Sequence, residues 1–204
     1  MKYVGTLPPP QRIPVTSDPT CAAAHPDGLF VSDVSGKDGG LADVFIFISG
    51  GLEDRVFAVP ETPVVIDQKG CAYAPKIAGV RAGQPIVFRS SDDTLHNVHG
   101  EPKQSTRWNF GLPRQGSERR MTIDAPEVLV PVRCDVHPWM RLDLGVVAHP
   151  YFAITAEDGS FRIDGIPEGT YTVAAVHPKL GRREAPIIVA PNTVSPATIA
   201  FRIR

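Results

Sequence analysis

The stretch Val128–His149, "VLVPVRCDVHPWMRLDLGVVAH", decides how the chain reads. Its ends, "VLVPVRC" and "LGVVAH", are short Val- and Leu-rich runs of the kind that form β-strands. Between them, "CDVHPWM" sets a thiol at Cys134, an imidazole at His137 and a thioether at Met140 within seven residues. Soft and borderline metals share these three ligand types, and a long, weak bond to Met marks a mononuclear copper site. Three ligand atoms on one loop between two strands call for a fourth, a second imidazole, from elsewhere in the chain.

Upstream, "DTLHNVHG" supplies the candidate: His96 follows the strand-like "PIVFRSS" directly, with His99 three residues beyond it. Other strand candidates between Pro63 and Pro150 are "PVVID", "KIAGVRAG" and "RRMTID", separated by the turn-forming "DQKG", "RAGQ" and "SSDD". Their spacing suits a β-sandwich. Residues 100–116, "GEPKQSTRWNFGLPRQG", show no clear period and read as a long loop. Loops of that length are usually functional or mobile.

The rest of the chain fits the same class. Of 204 residues, 21 are Pro and 18 Gly, and no long helical periodicity interrupts the short Val, Ile and Phe runs, so the fold class expected is all-β with little helix. The 42% hydrophobic content is enough for a real core. With 21 basic against 22 acidic residues, the net charge of -1 gives no field that would draw nucleic acid or an anionic membrane. No stretch approaches the roughly 20 apolar residues of a membrane helix, and "MKYVGTLPPP" lacks the apolar centre of a signal peptide. A start at Met1 is compatible with prior removal of an export signal or anchor.

Three domains are expected. Residues 1–63, with a Pro-rich lead and the apolar run Val44–Ile48, read as an N-terminal β extension packed on the central domain. Residues 64–150 form that domain and carry the ligand pattern. From Tyr151 the sequence changes character to "YFAITAEDGSFRIDGIPEGTYTVAAV", with a strand, an Asp-Gly turn, a second strand and a third. Residues 151–204 therefore read as a second, small β-sandwich. Of the three cysteines, Cys134 belongs to the ligand loop, and Cys21 and Cys71, both beside turn residues, are free to pair; a disulfide there would imply an oxidising compartment. The alternative is two buried free thiols.

Three features together, "HNVH" at 96–99, "CDVHPWMR" at 134–141 and "YAPKIAGVRAGQPIVF" at 73–88, make residues Val65–Val147 resemble the cupredoxins, the blue copper proteins, and their amicyanin type most closely. The resemblance implies a Greek-key β-sandwich holding one type 1 copper ion, with His96, Cys134 and His137 as the strong ligands and Met140 as the long axial one. It gives Asn97 the role of tying the two ligand loops together, and places Pro138 and Trp139 in an apolar patch for docking a redox partner. The alternative for Trp139 is plain core packing. Separately, Asp158, Gly159, Phe161, Ile163, Pro167, Gly169, Tyr171 and Val173 match the pattern of carboxypeptidase regulatory-like, transthyretin-like modules, which carries fold information only.

The expected function is a copper-binding electron-transfer protein, periplasmic or otherwise extracytoplasmic, cycling between Cu(II) and Cu(I) without transforming a substrate. Its partner would be a redox protein such as a c-type cytochrome or a larger oxidoreductase complex. Two alternatives stay open: a copper-delivery module using the same ligands, and a structural accessory subunit of a cell-envelope complex. Structural zinc normally takes four Cys or His ligands and no Met. An enzyme is least supported, since catalysis at copper needs an open position or a second cluster. His25, His99, His149 and His177 lack a surrounding constellation and are assigned to surface or packing.

Overall fold

The computed structural model describes residues 1–53 and 55–203. With 44% strand and 3% helix, the protein is all-β, as expected, and is built from several sheets. In chain order the first elements are β1 (Lys2–Val4), β2 (Gln11–Ile13), α1 (Pro19–Ala24), β3 (Leu29–Val31), β4 (Gly36–Lys37), β5 (Gly40–Leu41) and β6 (Phe45–Gly50). Next come β7 (Val64–Gln68), β8 (Tyr73–Ala74), β9 (Ile77–Arg81), β10 (Ile86–Ser90), β11 (His96–Gly100), β12 (Trp108–Leu112) and β13 (Glu118–Met121). The last are β14 (Glu127–Arg133), β15 (Arg141–Val147), β16 (Phe152–Ile154), β17 (Gly169–His177), β18 (Gly181–Val189) and β19 (Ala200–Arg202).

The chain divides into two compact units, and the division differs from the expected 1–63, 64–150 and 151–204. The first unit joins Met1–Pro9, Asp33–Ala58 and His149–Arg204; the second joins Pro10–Ser32 and Val59–Ala148. The N-terminal 63 residues are therefore not one extension of the ligand-bearing part. The reason is strand pairing. β6 lies between β16 and β17 in an antiparallel sheet of order β16-β6-β17-β18. Its run Val44–Ile48 is fully buried because both faces are covered. Ile46 and Ile48 face the unit's core with Leu41, Val173 and Phe201, while Phe45 turns the other way to meet Phe47 and Phe152. A second sheet, order β19-β1-β5-β4, pairs β1 with β19 in parallel.

The C-terminal residues thus do not close a sandwich among themselves: they complete one with strands from the N-terminal third. The expected second strand of "ITAEDGSFRI" is also absent. The Asp-Gly turn forms, with Gly159 at φ 73° and Ser160 N–H donating to Asp158, but residues 161–167 run on without ladder hydrogen bonds. Phe161 and Ile163 still pack on the core. Pro186 sits in β18, at the edge of its sheet, where a missing N–H costs the ladder nothing.

The second unit has a four-stranded sheet of order β13-β10-β7-β8 and a five-stranded one of order β12-β11-β14-β15-β9. Side chains from both, including Ile66 and Phe88 from the first and Val98, Val130, Val132, Leu142 and Leu144 from the second, meet in one core. The stretch read as a loop at 100–116 contains β12, which pairs along its whole length with β11, His96 opposite Leu112 and Gly100 opposite Trp108. Gly100 has a packing reason: a Cβ there would stand about 2 Å from the Trp108 ring. Near the start of β14, a register shift and a positive φ at Leu129 form a bulge, after which β14 and β15 pair regularly down to Arg133 opposite Arg141. Cys134 to Met140 is the loop that joins them.

Candidate metal centre

The loop closes on itself through its backbone. Cys134 N–H donates to the Met140 carbonyl (3.2 Å) and Met140 N–H to the His137 carbonyl (2.9 Å). These bonds fix the spacing of the side chains that the loop presents. His96 opens β11, beside the strand that leads into Cys134. All four expected ligands are buried: His96 and Cys134 are 0% exposed, His137 and Met140 1%.

His96, Cys134 and His137 come together, their ligand atoms all within 4.8 Å of one another. His96 Nδ1 stands 2.9 Å from His137 Nδ1, which stands 3.9 Å from Cys134 Sγ. On its far side, each ring meets a carboxylate. His96 Nε2 is 3.0 Å from Asp92 Oδ2, and His137 Nε2 is 3.3 Å from Asp18 Oδ2. A carboxylate accepting from Nε2–H fixes the ring and raises the basicity of Nδ1, the arrangement that orients histidines toward a metal. Met140 lies in the same core as Cys134.

The electrostatics are set by this geometry. Burial works against a charged His96, but Asp92 and Cys134 outweigh it and push the imidazole up to about 9. His137 is held below its usual range by burial and by the charge on His96, which Asp18 does not offset. The two Nδ1 atoms lie within hydrogen-bond distance, a contact that a bound metal ion would replace. Burial opposes ionisation of Cys134, yet hydrogen bonding from His96 and from the Asn97 N–H lowers its pKa, favouring thiolate. Two imidazoles with turned-in nitrogens, an ionisable thiol and a dry surround fit a borderline or soft cation such as copper.

Asn97 ties the two loops. Its Oδ1 accepts from Asp135 N–H (2.6 Å), its Nδ2 donates to Asp135 Oδ2 (3.0 Å) and to Asn109 Oδ1 (2.8 Å), and its own N–H points at Cys134 Sγ (3.4 Å). The Asn97 carbonyl accepts from Gln68 Nε2 and lies 3.1 Å from the Tyr73 hydroxyl. Burial and the Cys134 charge hold that hydroxyl far above the usual phenol range. His99 stands outside the cluster, with Nδ1 on Asp135 (2.9 Å) in a surface network with Arg133 and Glu101. His25 and His149 bond to the carbonyls of Gly70 and Ile48, and His177 is buried, with Nδ1 accepting from Lys179 N–H. Pro138 is exposed. Trp139 is half-buried, its ring 5.2 Å from His137 and its N–H on the Cys71 carbonyl (3.0 Å).

Cys21 and Cys71 form a disulfide. It brings in the residues that sequence reasoning missed, Asp18 and Asp92. Asp18 caps α1, accepting from Thr20 and Cys21 N–H, while its other oxygen takes Thr94 Oγ1–H (2.6 Å) and faces His137. Burial would raise this carboxyl, but the donors from Thr94, Cys21, His137 and Thr20 outweigh it and hold it at about 2. Asp92 accepts from Gly70 and Cys71 N–H as well as facing His96. The spacing of Asp92 four residues before His96 was a visible signal; Asp18 had none until its segment was clipped beside the site.

No family model matches the chain, and no curated protein matches it. Solved structures do. A point mutant of amicyanin in its Cu(I) form is 19% identical over 50% of this chain and 97% of its own, with a TM-score of 0.37. A purple cupredoxin from Nitrosopumilus maritimus is 17% identical over 41% of this chain and 98% of its own, with a TM-score of 0.35. The Cu-containing nitrite reductase of Thermus scotoductus SA-01 is 21% identical over 49% of this chain, with a TM-score of 0.37, and this chain spans only 25% of its length. The neighbours are cupredoxins and a copper enzyme, and each likeness reaches no more than half of the protein.

Proposed function

We propose that the protein is a mononuclear type 1 copper carrier of single electrons, with His96, His137 and Cys134 as the strong ligands and Met140 as the axial one. The observation that carries this reading is the convergence of two carboxylate-anchored imidazoles and one buried thiol. Copper held there would supply one-electron chemistry between Cu(II) and Cu(I). The chain does the rest. Asp92 and Asp18 orient the imidazoles, Asn97 locks the loops so that the ligands need not move between oxidation states, and the surrounding core excludes water. The copper domain would be the second unit, and the first, in which residues 151–204 pair with N-terminal strands, a transthyretin-like module. Disulfide formation supports an extracytoplasmic location. The electron partner would be a redox protein such as a c-type cytochrome or a larger oxidoreductase complex, docking near Pro138 and Trp139.

The test is the visible spectrum of the copper-loaded protein. An intense thiolate-to-copper band is expected, lost in Cys134→Ser and retained, with a changed reduction potential, in Met140→Leu. A colourless copper complex with all four residues intact overturns the reading. Loss of the metal to a chelator within minutes would favour delivery over electron transfer.

A further inference from the structure

Between Pro10 and Ser32 the chain carries little structure of its own: the two short strands β2 and β3, and the six-residue helix α1. Its attachments converge on the candidate metal centre. The disulfide fixes Cys21 to Cys71, His25 Nε2 binds the Gly70 carbonyl (2.7 Å), Thr20 Oγ1 donates to the Asp93 carbonyl (3.2 Å), and Asp18 joins Thr94 to His137. Cys21 Sγ lies within 4.8 Å of ligand atoms of Asp18 and His137, and Cys71 Sγ within the same distance of those of Asp92 and His96. His137 is 1% exposed although its loop neighbours Val136 and Pro138 are exposed.

We propose that residues 10–32 are a disulfide-clipped cover over the outer edge of His137, with Asp18 as the residue that positions the imidazole, and that opening the clip exposes this ring. The inference rests on the metal-centre reading for its purpose but not for its geometry. Covered, the His137 edge is closed to small ligands and to direct contact with a docking protein. Uncovered, it offers a route to both. Both cysteines are buried, so a dithiol acts when the segment opens locally: one thiolate attacks the Cys21–Cys71 bond, the mixed disulfide is displaced by the second thiolate, and two cysteine thiols and a cyclic disulfide result.

Diethyl pyrocarbonate, which acylates accessible imidazole nitrogens, tests this on the metal-free full chain, with modified peptides quantified by mass spectrometry. In the oxidised protein His137 should react at least about tenfold more slowly than the surface residue His99. In Cys21→Ser/Cys71→Ser, or after dithiol reduction, the His137 rate should rise about tenfold or more while His96, fully buried in the same unit, stays protected. A fast His137 in the oxidised protein, or no rise with the clip open and His96 protected, overturns the proposal. Should His96 become reactive too, the unit has unfolded, and Asp18→Asn decides instead: it keeps a cap acceptor, and a His137 rate unchanged from wild type overturns the proposal, whereas a tenfold rise sustains it. Because no copper enters this assay, a colourless copper complex would defeat the electron-carrier reading and leave this result standing.

Discussion

Asn97 is the residue on which the site's two halves depend. Its side chain spans from β11 to the Cys134 loop and to β12, using both amide ends. Asn97→Ala leaves Asp135 N–H and Asn109 without those partners, and we expect a loss of about 1–3 kcal/mol in urea unfolding with an unchanged m-value. Protonation predicts a second behaviour in the metal-free protein. His96 is raised from its ordinary 6.5 to about 9, so its contribution is complete below pH 6.5 and disappears as pH climbs through 9. Asp18 is lowered from 3.8 to about 2, so its contribution is complete above pH 3.8 and disappears as pH falls toward 2. Urea midpoints measured across the pH range should therefore decline at both ends, and Asp92→Asn should remove much of the alkaline decline.

Elements show what could be read from the sequence and what could not. The strands around the site were legible because each is a short apolar run between turn residues. β7, β9, β10, β13, β14 and β15 fall where "PVVID", "KIAGVRAG", "QPIVFRSS", "RRMTID", "VLVPVRC" and "LGVVAH" placed them. β12 was overlooked although its signal is present: in "WNFGL" the inward Trp108, Phe110 and Leu112 alternate with Asn109 and Gly111, a period of two that is only five residues long and set among Gly, Pro and polar residues. β6 was recognised as a buried strand, but an apolar run does not name its neighbours, and its partners lie more than 100 positions away at Phe152 and Val173. Ile46→Ala, which empties a fully buried position between two covering strands, should cost about 2–5 kcal/mol, read by denaturant unfolding. The convergence of His96, Cys134 and His137 was expected from the loop's composition and its resemblance to the cupredoxins, whereas the carboxylates behind the imidazoles depend on tertiary contacts that no local pattern encodes.

On the scale of the molecule, the disulfide closes a loop of 50 positions that spans the break between the two segments of the second unit. Its reduction should lower that unit's stability by about 2–4 kcal/mol, seen as an earlier thermal transition under dithiol. The parallel pair of β1 with β19 has a different kind of consequence. Every strand of the second unit has been synthesised once Ala148 has left the ribosome, whereas β1, which can already pair with β5, waits for its parallel partner β19, some fifty residues later. The second unit can thus be finished while β1 has only β5 beside it and its other edge is open. A nascent chain arrested between Ala148 and Ala200 should already bury Cys134 while the first unit, still lacking β19, stays open to protease, so the order of birth along the chain separates the two units in time.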